Sequence, residues 1–299
     1  MRDAMRCTAR VAVIALFAAL LGGPRSAWAE PILGSAVNFA VLGGSAVTNT
    51  GSTTLNGDLG VYPGSSITGL VDITFKGGSN QSNDAVSQQA QADETNAYDV
   101  LKGEPFTMNL TSHDLGTSGT SPIGLLDPGV YFFSSTAQLN GTLTLDAQGN
   151  PDAQFIFQIG SSLTTASASS VDVINGGAGV GVFWLLGVGG SGSATLGTTT
   201  AFEGNILSLD SVTLTTGATI LCGRAFAQTG SVTMDTNTVS DNCATFNGSS
   251  GSGGGNDFGS GGFSGGPTPV PEPRTIPLLR IGFISLVAAS FRRSSRKAL

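Results

Sequence analysis

The sequence predicts a mostly β protein whose parallel coils stack as a solenoid, with one long α-helix packed along a face. Bulky apolar strands recur through the second half of the chain: GVYFF (129–133), QFIFQI (154–159), GVFWLL (181–186), GNILSL (204–209) and GRAFAQ (223–228). A Ser/Thr-rich strand follows each of them: TAQLNGTLTL (136–145), SSLTTASASSV (161–171), SATLGTTTAF (193–202), SVTLTTGATI (211–220) and SVTMDTNTV (231–239). The units recur every roughly 20–28 residues, in the range of a β-helix. No helices alternate with these strands, so parallel pairing requires coils wound about one axis, ~4.8 Å apart. A β-sandwich or barrel also uses short strands with Gly turns, but the fixed order of apolar strand then Thr strand favours the solenoid. Residues 37–61 have the same character yet precede the helix, so they are expected to join the stack out of sequential order.

Four segments follow one another. Residues 1–29 read as a secretory signal peptide: Arg2, Arg6 and Arg10, an apolar run over 11–21, then Ala27-Trp28-Ala29 before Glu30. The run is too short to span a ~30 Å bilayer, which favours cleavage over retention as an anchor. Residues 30–246 form the foldable domain. Within it a helix is expected over about 84–101, capped by Asn83 or Asp84 and ended by Gly103. Its alanine-rich side, with Ala85, Val86, Gln89, Ala90, Asp93, Ala97, Val100 and Leu101, is expected to pack on a flat surface. The polar side lacks Lys and Arg, which argues against a membrane-surface helix. Residues 247–266 are a Gly/Ser linker, and residues 267–299 a short tail.

Composition narrows the function. The net charge of −7 and the lack of a basic patch disfavour nucleic acid as a partner. Once the signal is removed, Cys222 and Cys243 remain, and in an exported chain they read as one disulfide contributing on the order of 3 kcal/mol. Two cysteines and the single His113 make a poor metal-ligand set, and no metal or cofactor is expected. The carboxylates are scattered, Arg224 is the only Arg between residues 26 and 273, and His113 has no compelling nucleophile beside it. An enzyme needs a convergent polar site, and none is legible.

What recurs is threonine. In SVTLTTGATI, Val212 and Leu214 alternate with Thr213 and Thr215, so one set points in and the other out; Val232 and Met234 alternate likewise with Thr233 and Asp235. After each strand a second hydroxyl cluster follows the corner: Thr142 and Thr144, Thr165 and Ser167, Thr198 and Thr200, Thr216 and Thr219, Thr236 and Thr238. Before the helix, Thr50 and Thr53 in TGST parallel the TGAT of 216–219. On stacked coils such hydroxyls form ranks. Threonine is stiff at χ1 and shows both a methyl and a hydroxyl, which suits an array that orders water. Outward Thr is also common on any solvated strand, so the recurrence, not any single residue, carries the functional reading.

These blocks, from GSAVNFAVLGGSAVTNTGSTTLNGDLGV through the Ala-rich helix, LDPGVYFF, QFIFQI, VFWLLG, SATLGTTTAFEGNILSLDSVTLTTGATI and GRAFAQTGSVTMDTNT, resemble the microbial ice-binding-like domain family over nearly all of 32–240. The resemblance implies a discontinuous right-handed parallel β-helix of triangular section with a helix along one face. It also implies binding of ice by a flat Thr/Ser/Ala-rich face. Thr50-Gly51-Ser52-Thr53 and Thr216-Gly217-Ala218-Thr219 match the family's Thr-(Ala/Gly)-x-(Thr/Asn) motif, whereas Thr165-Ala166-Ser167-Ala168 keeps only its first half.

The tail resembles a PEP-CTERM sorting signal: Val270-Pro271-Glu272-Pro273, an apolar stretch over 276–290 broken by Arg280, then Arg292, Arg293, Arg296 and Lys297. It implies transient membrane association and display at the cell surface. The expectation is therefore an exported monomer whose partner is an ice crystal surface. The rival is a structural or adhesive module that shows the same grid to a polysaccharide or matrix.

Overall fold

The computed structural model describes residues 32–177 and 179–241. The expected signal peptide, linker and tail lie outside the described residues, as does Cys243. Every strand pairing among the described residues is parallel. Each pass of the chain feeds three ladders in turn, as Gly129–Phe133, Ala137–Leu139 and Thr142–Asp146 do. One ladder is a seven-stranded sheet in the order Ala137–Leu139, Leu163–Thr165, Ala194–Leu196, Val212–Leu214, Ser231–Asp235, Ala46–Thr50 and Ser66–Thr68. The other two, a helix-side ladder and a flank ladder, merge into one fifteen-stranded sheet because Ala201–Ser208 and Thr219–Ala227 run through both.

Burial explains which sequences go where. The central strands of the helix-side ladder are covered on both faces, and Gly181–Leu186 is buried at every position; such strands read as continuous apolar runs. The seven-stranded sheet is covered on one face only, so Val212–Leu214 alternates buried, part-exposed, buried. Inside, Tyr131, Phe157 and Trp184 stack in register, with ring centroids 5.3 Å and 3.9 Å apart.

The expected change of order is present. Ala46–Thr50 pairs with Ser231–Asp235, and Thr53–Asn56 with Thr238–Ser240, so the N-terminal passes continue the stack beyond the C-terminal one. The chain must then return from Asn80–Ser82 at one end of the helix-side ladder to Met108–Asn109 at the other. Helix α1 (Ala85–Lys102) makes that return. Its 18 residues rise ~27 Å, and eight strand spacings amount to ~38 Å. The difference is within the reach of residues 103–107.

Asp84 caps α1: its carboxylate accepts from the Ser87 N–H at 2.8 Å while the Ser87 hydroxyl accepts from the Asp84 N–H at 3.1 Å. Replacing Asp84 with Ala is expected to cost about 1 kcal/mol, read in a denaturant melt. The buried stripe of α1 differs from the expected one. It is Ser87, Ala90, Gln91, Glu94, Ala97, Tyr98 and Leu101, whereas Ala85 and Gln89 are exposed and Val86 is 48% exposed. The Tyr98 hydroxyl donates to the Leu186 carbonyl at 3.2 Å, which turns the tyrosine face, and with it Gln91 and Glu94, onto the sheet.

Candidate ligand-facing surface

The outward side of the seven-stranded sheet carries a single rank of aligned residues. Pairing places Gln138, Thr164, Thr195, Thr213, Thr233, Thr48 and Thr68 opposite one another in succession. Neighbours in such a rank lie ~4.8 Å apart, so its seven positions span ~29 Å. The six threonines are exposed or partly exposed. Among the described residues none of their hydroxyls meets a hydrogen-bonding partner, so all six are left to solvent. Beside the rank the hydroxyls are tied down: Ser162, Ser193 and Ser211 accept the backbone N–H of Ser193, Ser211 and Ser231 at 3.2–3.3 Å. These bonds hold successive passes together along one edge of the face.

Alternation made Thr213 and Thr233 legible in the sequence. It also carried a signal for Thr48, Thr164, Thr195 and Thr68, each next to an inward residue: Val47, Leu163, Ala194 or Ile67. Those four were hidden in short strands beside the more conspicuous corner clusters.

The corner residues divide. Thr53, Thr165 and Thr200 are buried, at 1%, 3% and 0% exposure, and correct the expectation that they face a ligand. Turning from one ladder to the next leaves backbone groups inside with no ladder partner, and these side chains satisfy them. Thr53 Oγ1 accepts from the Asn237 N–H at 3.1 Å, Thr165 Oγ1 from Gly197 at 2.8 Å, and Thr200 Oγ1 donates to the Ala166 carbonyl at 3.2 Å. Thr165 and Thr200 also bond each other at 2.8 Å.

Thr50, Ser167, Thr198, Thr216 and Thr236 are exposed at the same corner, but the Thr216 and Thr236 hydroxyls both bind the Asp235 carboxylate. The two TGxT matches are not equivalent. Thr219 pairs with Thr238, and Thr238 with Thr54, so Thr53 takes the buried place of Ala218 rather than that of Thr219. Gly51 and Gly217 supply left-handed backbone there, at φ 70° and 72°, where a side chain is disfavoured.

Thr142, Thr219 and Thr238 lie on the flank ladder, in a row with Ser170, Ala201, Thr54 and Thr74. Thr144 is beside Asp172 on the same face. Charge separates this face from the first. Asp146 is held below the usual carboxylate range by the Asn175 side chain and the Gln148 N–H. Burial pushes the Glu203 carboxyl up to about 7, opposed by the Val173 N–H and reinforced by Asp172. No charged residue stands in the central rank of the seven-stranded sheet.

At the end of that rank a polar cavity of about 240 Å³ is lined by Ser112, His113, Asp114, Thr120, Ser135, Thr136 and Gln138. Asp114 is committed to the loop: its carboxylate accepts from the N–H of Gly116 at 3.0 Å, that of Asn140 at 2.9 Å, and the Asn140 amide. No group of His, Cys, Asp and Glu suited to a metal occurs among the described residues.

A parallel stack whose seven-stranded sheet carries a central rank of uncharged hydroxyls, and no convergent catalytic group among the described residues, has the architecture of a binding protein. The family model described as ice-binding-like matches residues 41–240, and the chain belongs to that family. It is 54% identical over 215 residues to an ice-binding protein of Nostoc sp. (strain HG1), covering 72% of this chain and 75% of that one. It is 30% identical over 220 residues to an ice-binding protein of Flavobacterium frigoris (strain PS1), covering 69% and 75%. Among solved structures it is similar to an ice-binding protein from the Antarctic ascomycete Antarctomyces psychrotrophicus. That match has a TM-score of 0.63 and 35% identity, over 71% of this chain and 98% of the other. The family is one of binding proteins, and the chain is not an enzyme.

Proposed function

We propose that this chain binds ice through the outward face of its seven-stranded sheet. The observation that carries the reading is the in-register rank of six threonines whose hydroxyls have no protein partner among the described residues. On a stiff β-branched side chain each position offers one methyl and one hydroxyl at a fixed height. The methyls hold water in a cage that cannot bond to them, and the free hydroxyls anchor that layer to the protein at the spacing of the ladder. Ice carries no charge, which fits the rank better than it fits the carboxylate-bearing flank. The names of the Nostoc and Flavobacterium relatives support the same ligand.

The finer architecture belongs to this proposal: a right-handed β-helix of triangular section, acting as a monomer. So does the cellular setting, with the signal peptide removed, the tail sorted as a PEP-CTERM signal, and the domain displayed at the surface. A Cys222–Cys243 disulfide would close the last pass; Cys222 is buried, as a structural disulfide half should be. The test is thermal hysteresis and ice recrystallisation inhibition with the purified protein. Both are expected above a buffer control, and a protein that shows neither is instead an adhesive module for polysaccharide or matrix.

A further inference from the structure

The seam between α1 and the sheet holds an unusual pair. Glu94 is fully buried, at 0% exposure, and Gln91 is buried one turn before it. One Glu94 oxygen, Oε1, accepts from the Gln228 amide at 3.3 Å; the other, Oε2, meets no donor. The Gln91 amide nitrogen donates to the carbonyls of Ala227 and Gln228, at 3.4 Å and 3.3 Å, and its Oε1 also meets no donor. Residues three apart on a helix are neighbours on its surface, so the two residues that carry these orphaned acceptors are adjacent in the buried seam. An ionised carboxylate there would be both unpaired and poorly solvated. One proton on Oε2, donated to Gln91 Oε1, supplies both missing bonds.

We propose that Glu94 is carried in the folded protein as a neutral carboxylic acid that donates to Gln91, making the helix–sheet seam a pH-sensitive clasp.

The surroundings agree. On α1 itself, Asp93 is occupied by Ser35 and Gln89, Asp99 adds repulsion, and Lys102 sits over the Tyr98 ring rather than at Glu94. Gly34–Asn38, packed beside the helix, has no titratable side chain. On the sheet, Arg224 of Thr219–Ala227 donates to the Val37 carbonyl and Asn205. The strands Gln154–Ile159, Gly181–Leu186 and Phe39–Gly43 offer α1 no charged group. Burial above all, with Asp99 adding and the Gln228 bond opposing, pushes the Glu94 carboxyl up to about 8. The folded state then keeps a proton that the unfolded chain releases near the ordinary value of 4.5. The clasp is complete below the unfolded value, and its contribution falls as pH rises until the folded value is passed.

The experiment is equilibrium denaturation of the full protein from pH 5 to 9.5. Glu203 contributes with the same sign, so the comparison uses Glu203→Gln with and without Glu94→Gln. With Glu94 present, the folding equilibrium constant is expected to fall by up to about tenfold per pH unit, flattening above pH 8. In the Glu94→Gln variant, where the new amide can donate to Gln91, that slope is expected to disappear. Infrared spectra of the Glu203→Gln protein at pH 7 are expected to show a protonated-carboxyl C=O band that is lost on alkaline titration, a readout that does not depend on the double variant folding. A slope unchanged by Glu94→Gln, or no such band, overturns the proposal. Ice binding at pH 6 is expected to be equal in all variants, so failure here is distinguishable from failure of the ice-binding reading.

Discussion

Replacing Thr213 with Tyr is expected to lower thermal hysteresis at least ~10-fold, as disruption at the centre of a binding surface does. Thr213 stands in the middle of the rank, between Thr195 and Thr233. A tyrosine ring there would rise above the plane and keep ice from the threonines on either side, so one substitution disturbs several contacts. Folding should be little affected, because the residue is partly exposed, points away from Val212 and Leu214, and tyrosine is favoured in strands. The matched control is Thr219→Tyr on the flank ladder, which is expected to leave hysteresis nearly unchanged. Equal loss from both substitutions would mean that the flank shares the ligand. Loss from Thr219→Tyr alone would move the site to the flank.

Trp184→Ala is expected to cost ~3–5 kcal/mol. The indole is fully buried, stacks on Phe157 at 3.9 Å, lies 5.0 Å from Phe202, and donates to the Glu203 carbonyl at 3.1 Å. Truncation leaves a cavity and an unpaired carbonyl in one stroke. For a domain of this size the loss corresponds to a melting temperature lower by roughly 6–20 °C. Circular dichroism melts check it, and a shift of under about two degrees, below that range, would show that neighbouring rings close the gap. Because each pass of a stack contacts only its neighbours, loss of cooperativity is expected along with the shift.

Much of this protein is legible residue by residue. Gly181–Leu186 is apolar throughout because it is covered on both sides, and the Val212–Leu214 alternation correctly turns Thr213 outward. The N-cap of α1 is one of the two candidates, Asp84. The rotation of α1 was not legible. Small residues at Ala85 and Ala92 suggest contact as well as Ala90 and Ala97 do, and only docking of Tyr98 and Gln228 selects the stripe that buries Glu94. Nor were the corners. Two residues separate Leu139 from Thr142, and four separate Leu214 from Thr219; each corner restarts the inside–outside count.

The sequence alone thus determined the apolar and Thr-rich strands of the second half, the one long helix, and that threonine recurs on strands whose other side is apolar. These follow from local periodicity and side-chain chemistry. Which threonines stand together was decided by the tertiary structure. Thr48 meets Thr233 across 185 positions of sequence, and Thr53 turns inward because the pass beside it presents the Asn237 N–H. The physical reason is that register belongs to pairs of strands: a shift of one residue exchanges the buried and exposed sets, and the partner that sets it lies elsewhere in the chain.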